Sequence, residues 1–501
     1  MNDERRIPVI VAIGEVSGRG VATSVEPLEL IHRSALNCEI DATTEESWLR
    51  RADSILVCHV ASWAYANLAS DLCIRFGAKA TDLFNSPIGG QWPARLLDRA
   101  AARIATGEST IAVIAGGESQ ASMTSMTKSG RDPVRDGGWT TQPGGPPSFD
   151  LDQLGTAGMQ RAGLITPVRV YPLFENRLRF DLSLDPSENS SRSSELYSAF
   201  STIAADNLAS WHHQVRTADD IGTPSRHNRM VCEPYPLSMN AMPHVDQAAA
   251  VIVTSLDEAR RCGVPANKIV HVWGGAGAED TADILDRESF GRSLAMESAI
   301  DRTLDAASIE IEDIDVLDVY SCFPIVPKMA VLHLGASEVQ IPSATGGHSS
   351  FGGPLSSYSL HAVAAAAREI RAGKRCALVH ANGGYMTYQH SVLLAKAPHP
   401  AGYIGSPDPV IVPGETPPRT DVRHGPVTIE TVTVEHSRHH EPHQAFLVAR
   451  DSTGRRVAAQ TAPGDLESAR ALSLYRSDPP REIVGTTVTI DPQAGGIRVQ
   501  N

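Results

Sequence analysis

The densest group of chemistry-bearing side chains is Glu435-His436-Ser437-Arg438-His439-His440-Glu441-Pro442-His443, which invites a metal-cluster reading. Zinc asks for three or four converging ligands that are themselves held by hydrogen bonds. This segment lies between two predicted strands, so a solvated hairpin turn is the better reading and no metal is expected. Gly274-Gly275-Ala276-Gly277-Ala278 follows a predicted strand and invites a phosphate loop. It lacks the Gly-x-Gly-x-x-Gly spacing and the Lys-Ser/Thr of a P-loop, so nucleotide binding is not expected. The seven cysteines (38, 58, 73, 232, 262, 322 and 376) are scattered, odd in number and form no Cys-x-x-Cys pair. That argues against a zinc ribbon or a redox motif. Cys322 reads as a core thiol, because its neighbours bring no positive charge that would make it reactive.

The elements that position these residues have to come from a chain of 501 residues with 42% hydrophobic and 20% charged side chains. Such a chain buries large cores in two or three domains. The formal net charge of −14 argues against general nucleic-acid binding but leaves room for a local basic patch on a small cofactor's phosphates. No apolar run approaches the ~20 residues of a membrane span. The start, Met1-Asn2-Asp3-Glu4-Arg5-Arg6, lacks the apolar region of a signal peptide. A reduced, cytoplasmic protein is expected.

Strand-like runs at 9–14, 54–58 and 111–117 alternate with a helical pattern over 94–105, in which Leu96, Leu97, Ala100, Ala101 and Ile104 share one face and Gly107 ends the helix. From 119 to 239 the rhythm fails. Pro, Gly, Ser and Asn accumulate, as at Gln142 to Pro147, and one helix is evident, around Glu195 to Trp211. Such an excursion usually covers a binding site or an interface. The rhythm resumes with strands at 248–254, 269–273, 315–320 and 376–380 and a helix near 293–306, so strand–helix–strand is written twice. This predicts an N-terminal half from 1–118 and 240–267, a loop domain at 119–239, and a C-terminal half at 268–397. A Pro/Gly-rich linker at 398–424 leads to a β-domain at 425–501, plausible as a five-stranded, OB-like barrel. The barrel offers few aromatics (Phe446, Tyr475) and balanced charge, which argues against single-stranded nucleic acid.

Four segments then resemble the thiolase superfamily over roughly 7–397. Ala115-Gly116-Gly117-Glu118-Ser119 is similar to the thiolase Ala-Gly-Gly-Met-Glu-Ser turn. Tyr320-Ser321-Cys322-Phe323 resembles the His-Asp-Cys-Phe segment of the sterol-carrier-type thiolases. Gly346-Gly347-His348-Ser349-Ser350-Phe351-Gly352-Gly353-Pro354 resembles the family's Gly-His-Pro loop, and Asn382-Gly383-Gly384 stands where its last Cys-x-Gly falls. The added β-domain is similar to that of the actinobacterial thiolase-like proteins of type 1. The resemblance implies a five-layered α-β-α-β-α body.

It also implies what is missing. A thiolase needs a thiolate at a helix N-terminus, a second cysteine as acid/base, and histidine. Those positions fall here on Gly90, Ala381 and Gly353, so thiolysis is not expected. The surviving candidates are Tyr320, His348 and Tyr385 as catalytic groups, with His380 beside them. Gly90, Gly352, Gly353 and Gly383 would line an oxyanion or CoA-thioester pocket, the paired glycines Gly352 and Gly353 leaving free volume. The leading function is a CoA- or acyl-CoA-binding protein of lipid or sterol metabolism. The alternatives are a retro-aldol or Claisen-type lyase with tyrosine as acid/base, and a carrier or scaffold whose β-domain recruits a protein partner. Monomer and dimer both stay open.

Overall fold

The computed structural model describes residues 3–19, 24–141, 155–336 and 341–500. The turn-rich stretch at Gln142 to Pro147 lies outside the described residues. The first half holds β1 (Pro8–Ser17), α1 (Pro27–Ala42), β2 (Ser54–Val57), α2 (Leu68–Phe76), β3 (Asp82–Asn85), α3 (Trp92–Thr106), β4 (Ile111–Ser119) and, after the excursion, β5 (Asp246–Ser255). The excursion supplies α4 (Pro167–Asp181) and α5 (Pro186–Asp206). The second half holds β6 (Val270–Glu279), α6 (Leu294–Ala307), β7 (Val316–Val319), α7 (Ile325–Leu334), α8 (Tyr358–Arg371), β8 (Cys376–Gly383) and β9 (Tyr388–Ala395).

The strands run in the order β3-β2-β4-β5-β1-β6-β9-β8-β7. In the first half β2 lies parallel to β3 and β4, and β5 is antiparallel to β4 and β1. The second half repeats this from the opposite end: β9 is antiparallel to β6 and β8, and β8 is parallel to β7. The halves join where Val9 and Ile10 meet His271 and Val270. The rhythm written twice in the sequence is thus a duplicated topology.

Helices α3 and α8 lie between the two half-sheets. Leu96, Leu97 and Ile104 of α3 and Leu360, Val363 and Ile370 of α8 share one core with Ile114 and Val251 on one side and Val379 and Val392 on the other. Gly107 closes α3 at φ +79°, a left-handed conformation that glycine adopts without strain. Helices α1 and α2 cover the outer face of the first half, and α4 to α7 cover that of the second. Five layers result.

Three expectations need correction. The pattern predicts one evident helix in the excursion, near Glu195 to Trp211, yet the excursion carries α4 as well, and α5 ends at Asp206. Pro167, Pro172 and the arginines of α4 break its pattern, although Val170, Leu173, Phe174 and Leu178 do fall on one buried face. Gly274 to Ala278 is not a loop but the continuation of β6. A Cβ on Gly275 would run into the Ser391 backbone of β9, so close strand approach explains these glycines. The 398–424 segment is not a bare linker, because it carries β10 (Ser406–Ile411), parallel to β6.

The C-terminal domain is built from β11 (Gly425–His436), β12 (Pro442–Asp451), β13 (Arg456–Gln460), α9 (Leu466–Ala471), β14 (Thr487–Gln493) and β15 (Gly496–Gln500). Its strands follow the order β13-β12-β11-β14-β15, and one parallel bridge, Thr461 to Ile497, brings the two ends of that order together. Val427, Ile429, Leu447, Ile490 and Ile497 fill its core. Short strands of the excursion, Met230–Cys232 and Tyr235–Pro236, extend this sheet beside β11. Buried Arg179 of α4 reaches Glu482 at 2.6 Å, and Thr431 donates to the Leu173 carbonyl. The β-domain is therefore sewn to the excursion. The histidine-rich segment forms the β11–β12 turn, where His436 pairs with Glu233 at 2.8 Å. No metal-binding group occurs among the described residues.

Candidate functional site

The start of α3 brings Gly90 against the end of β7. A Cβ placed on Gly90 would overlap the Tyr320 hydroxyl and lie 2.5 Å from the Asn382 carbonyl oxygen. Tyr320 thus fills the space into which a side chain at Gly90 would project. Ser356 and Ser359 hold this corner: Gly89 N–H donates to Ser356 Oγ at 3.1 Å, and Ser359 Oγ donates to the Gly90 carbonyl at 3.2 Å. The backbones of Gly90 and Gly383 also come together, since a Cβ on Gly383 would stand 3.3 Å from the Gly90 nitrogen. The hollow between them is occupied by Gln91, whose Oε1 packs on Gly89 and Gly383 and is buried without a partner. An anion would have to displace this acceptor before using the N–H groups nearby.

His348 sits on one wide helical turn, Gly347–Phe351. Its ring lies between Tyr320, centroids 4.2 Å apart, and Tyr358, stacked at 3.4 Å. Nδ1 is 3.3 Å from Ser321 Oγ, and Nε2 is buried with no partner. Gly346 and Gly347 serve close packing on α5, where a Cβ would meet Ala204 and Phe200 at 2.5–2.6 Å. The free volume expected at Gly352 is absent, because Gln247 Oε1 packs against it. Gly353 is less crowded, with His348 Cδ2 at 3.5 Å from where its Cβ would be. Ala381 packs into the central core beside α3 and α8.

Tyr385 lies on the β8–β9 turn, fully buried, with its hydroxyl unpartnered. Its ring stands edge-on to Tyr171, 6.5 Å away, and Tyr171 stacks on Phe323 at 4.6 Å. The Tyr171 hydroxyl donates to the Gly384 carbonyl at 2.8 Å and accepts from Asn382 Nδ2 at 3.0 Å. Gln389 Nε2 donates to Asn382 Oδ1 and faces His380 Nε2 through Oε1, both at 2.8 Å. The structure thus joins Tyr320, His348, Gly90 and Gly353 in one corner, and Gly383 links that corner to the turn of Tyr385. Gln91, Tyr358 and Tyr171 belong to the same assembly, although no sequence signal singled them out, and so does Asn382, which the sequence marked only as the first residue of the Asn382-Gly383-Gly384 segment.

Burial sets the electrostatics. It raises the Tyr320 and Tyr385 hydroxyls above their ordinary values and lowers His348 well below the usual imidazole value. His380 is pushed down to about 4, and Cys322 up to about 12. Near neutral pH the site holds protonated phenols and neutral imidazoles. The tyrosines are therefore suited to donate a proton or hydrogen bond, not to act as bases.

Glu118 in the Ala115–Ser119 segment accepts from Ala61 and Ser62 N–H, both at 2.8 Å, and orders the loop after β2. Burial lifts its carboxyl to about 7. The folded value exceeds the unfolded one, so Glu118 contributes stability that is complete below 4.5 and lost as pH rises through about 7. Glu118 is therefore expected to make wild-type stability in urea fall from about pH 5 to 8 relative to E118Q, against the rise that the neutral buried His348 and His380 contribute to both proteins. Asp318, lifted to about 6, keeps part of that slope. An identical slope in E118Q would refute the assignment.

Two duplicated α/β halves around a shared helical layer, with the start of α3 facing the glycine turns of the second half, define the thiolase fold. The added domain is more particular: residues 409–492 match the family model of the thiolase-like protein type 1 additional C-terminal domain. Over 100% of both chains the structure aligns with a monomeric SCP2-thiolase like protein type 1 from Mycobacterium smegmatis, at TM-score 0.81 and 26% identity. The Ltp2-ChsH2(DUF35) aldolase aligns at TM-score 0.60 and 18% identity over 78% of this chain and 98% of its own. Human mitochondrial 3-ketoacyl-CoA thiolase in complex with CoA aligns at 0.55 and 16% over 78% and 98%. In sequence, 105 residues are 32% identical to an acetyl-CoA acetyltransferase of Methanocaldococcus jannaschii, spanning 21% of this chain and 26% of that protein.

Proposed function

We propose that the chain binds a CoA thioester and does not catalyse thiolysis. The observation that carries this reading is a site closed to a nucleophile yet rich in unpaired polar atoms. Tyr320 fills the Gly90 position, while Gln91 Oε1, His348 Nε2 and the Tyr385 hydroxyl are buried without partners. Each such atom costs about 1–3 kcal/mol, which a ligand offering carbonyl and amide groups would offset. An acyl-pantetheine arm carries those groups, and the human thiolase of the same fold is known with CoA. Lipid or sterol breakdown is the setting that fits such a ligand. The seven free cysteines support a cytoplasmic location, and the monomeric M. smegmatis protein supports a monomer. The aldolase relative, named as a pair of proteins, supports a protein partner for this chain too.

Tyr385→Phe separates binding from folding. Its hydroxyl has no partner to lose, so Y385F is expected to match or slightly exceed the wild-type stability while weakening acyl-CoA binding about tenfold. Loss of stability, or unchanged affinity, would count against a ligand role for Tyr385.

One observation favours a second reading. A protonated phenol stands at the nucleophile position, where it is able to protonate the enolate released when a retro-aldol step breaks the Cα–Cβ bond of a 3-hydroxyacyl-CoA, the 3-hydroxyl becoming a carbonyl and its proton returning to the phenol. A lyase would lose turnover in Y320F while keeping affinity, whereas a carrier shows no turnover with any 3-hydroxyacyl- or 3-ketoacyl-CoA. Acetyl-CoA formed from acetoacetyl-CoA and free CoA would sink both readings.

A further inference from the structure

A continuous column of buried groups runs from the C-terminal domain to the turn that carries Tyr385. Arg456 on β13 is 1% exposed and is neutralised by Glu430 of β11, with Nε to Oε2 at 2.9 Å. Its Nη1 donates to the carbonyls of Leu285, at 2.9 Å, and Arg287, at 2.5 Å, and its Nη2 to that of Glu288 at 3.3 Å. One side chain of the added domain thus gathers three backbone carbonyls of a loop in the second half. In that loop, Arg287 is itself 5% exposed and turns its guanidinium the other way. Nη1 donates to the Tyr385 carbonyl at 2.6 Å, and Nη2 to Thr387 Oγ1 at 2.8 Å and the Thr281 carbonyl at 3.0 Å. Aromatic rings fill the space between: Arg456 lies over Phe290, Phe290 touches Phe174 at 5.2 Å, and Arg287 lies over Phe174.

The turn so held needs holding. Gly384 and Met386 both have positive φ, +62° and +58°, and the strained Met386 persists only where its surroundings fix it. Tyr171 anchors the Gly384 carbonyl from the excursion. Arg287 anchors the next carbonyl, that of Tyr385, and Arg287 is in turn placed by Arg456.

We propose that Arg456 and Arg287 are positioning residues for Tyr385, so that the added C-terminal domain completes the candidate site rather than accompanying it. The inference concerns the geometry of the turn and holds whatever ligand the site takes. It also explains why the β-domain is attached. A thiolase-fold body without that domain would leave three carbonyls of 285–288 without their partner.

Backbone hydrogen exchange of the full-length protein tests this without any ligand. In R456M, peptides spanning 383–388 and the Asp280 amide, which donates to the Thr387 carbonyl at 2.9 Å, are expected to exchange at least about tenfold faster. Amides of β11 beside Glu430, which then keeps only Arg450 as its partner among the described residues, are also expected to exchange faster, whereas those of the central helices α3 and α8, remote from the cluster, should rise by less than those of the turn. R456K keeps the charge beside Glu430 but reaches fewer carbonyls, so an intermediate, equally local gain is expected, and it decides the matter alone if R456M does not fold. Unchanged exchange at 383–388, or a uniform rise across the chain, would overturn the proposal. Arg450, half exposed beside the same Glu430, provides the control. R450A should leave the turn as protected as in wild type, and a loosened turn in R450A would also overturn it.

Discussion

Restoring a cysteine at position 90 yields a protein less stable by about 1–3 kcal/mol that still does not cleave acetoacetyl-CoA. The cost follows from overpacking. The new Cβ overlaps the Tyr320 hydroxyl and stands 2.5 Å from the Asn382 carbonyl, which is backbone and moves only with β8. Moving Tyr320 in turn disturbs its packing on His348 and Tyr358. The double variant G90C/Y320A is expected to recover part of the overpacking cost, a coupling readable from a urea double-mutant cycle. It is expected to stay inactive, because the resemblance sets Ala381 and Gly353 where the family has its other cysteine and its histidine. Additive destabilisation in that cycle would show that Tyr320 does not occupy the Gly90 space in solution.

The largest stability effect is expected at Lys328. This α7 lysine reaches Glu175 of α4 at 2.6 Å, and Asn189 Oδ1 and Ser193 Oγ of α5 at 2.9 and 2.5 Å. Glu175 is 1% exposed and also accepts from Tyr235 and Asn189. Lys328→Met removes the cation and strands a buried carboxylate, so about 3–5 kcal/mol of stability is lost. The urea midpoint of K328M measures it. Because the cluster ties the second half to the excursion, the transition should stay single and shift as a whole. A K328M protein as stable as wild type would mean that Glu175 is neutral or solvated, and a two-step transition would mean that the excursion unfolds by itself.

The halves were legible in the sequence because strands buried on both faces write continuous apolar runs and the amphipathic α3 writes a clear helical period. Helix α4 was not, since its two prolines and its arginines hide a buried face whose charged members, Glu175 and Arg179, pair with Lys328 of α7 and Glu482 of the β-domain rather than with water. The glycines at 274–278 read as a loop, yet they exist to let β9 approach. At the site, the positions of Gly90 and Tyr320 followed from resemblance, but their contact did not. They lie far apart in the chain and meet only because the end of β7 abuts the start of α3. Gln91, Tyr358, Arg287 and Arg456 carried no spacing or composition signal. Their roles arise from burial, which a linear pattern does not encode.

Calorimetric titration of the purified protein with CoA, acetyl-CoA and a sterol-side-chain CoA ester tests the central claim most directly. The account predicts saturable binding of at least one ester, tighter than that of free CoA. No heat with any of the three would contradict it, and would leave a thiolase fold kept as a scaffold without its ligand.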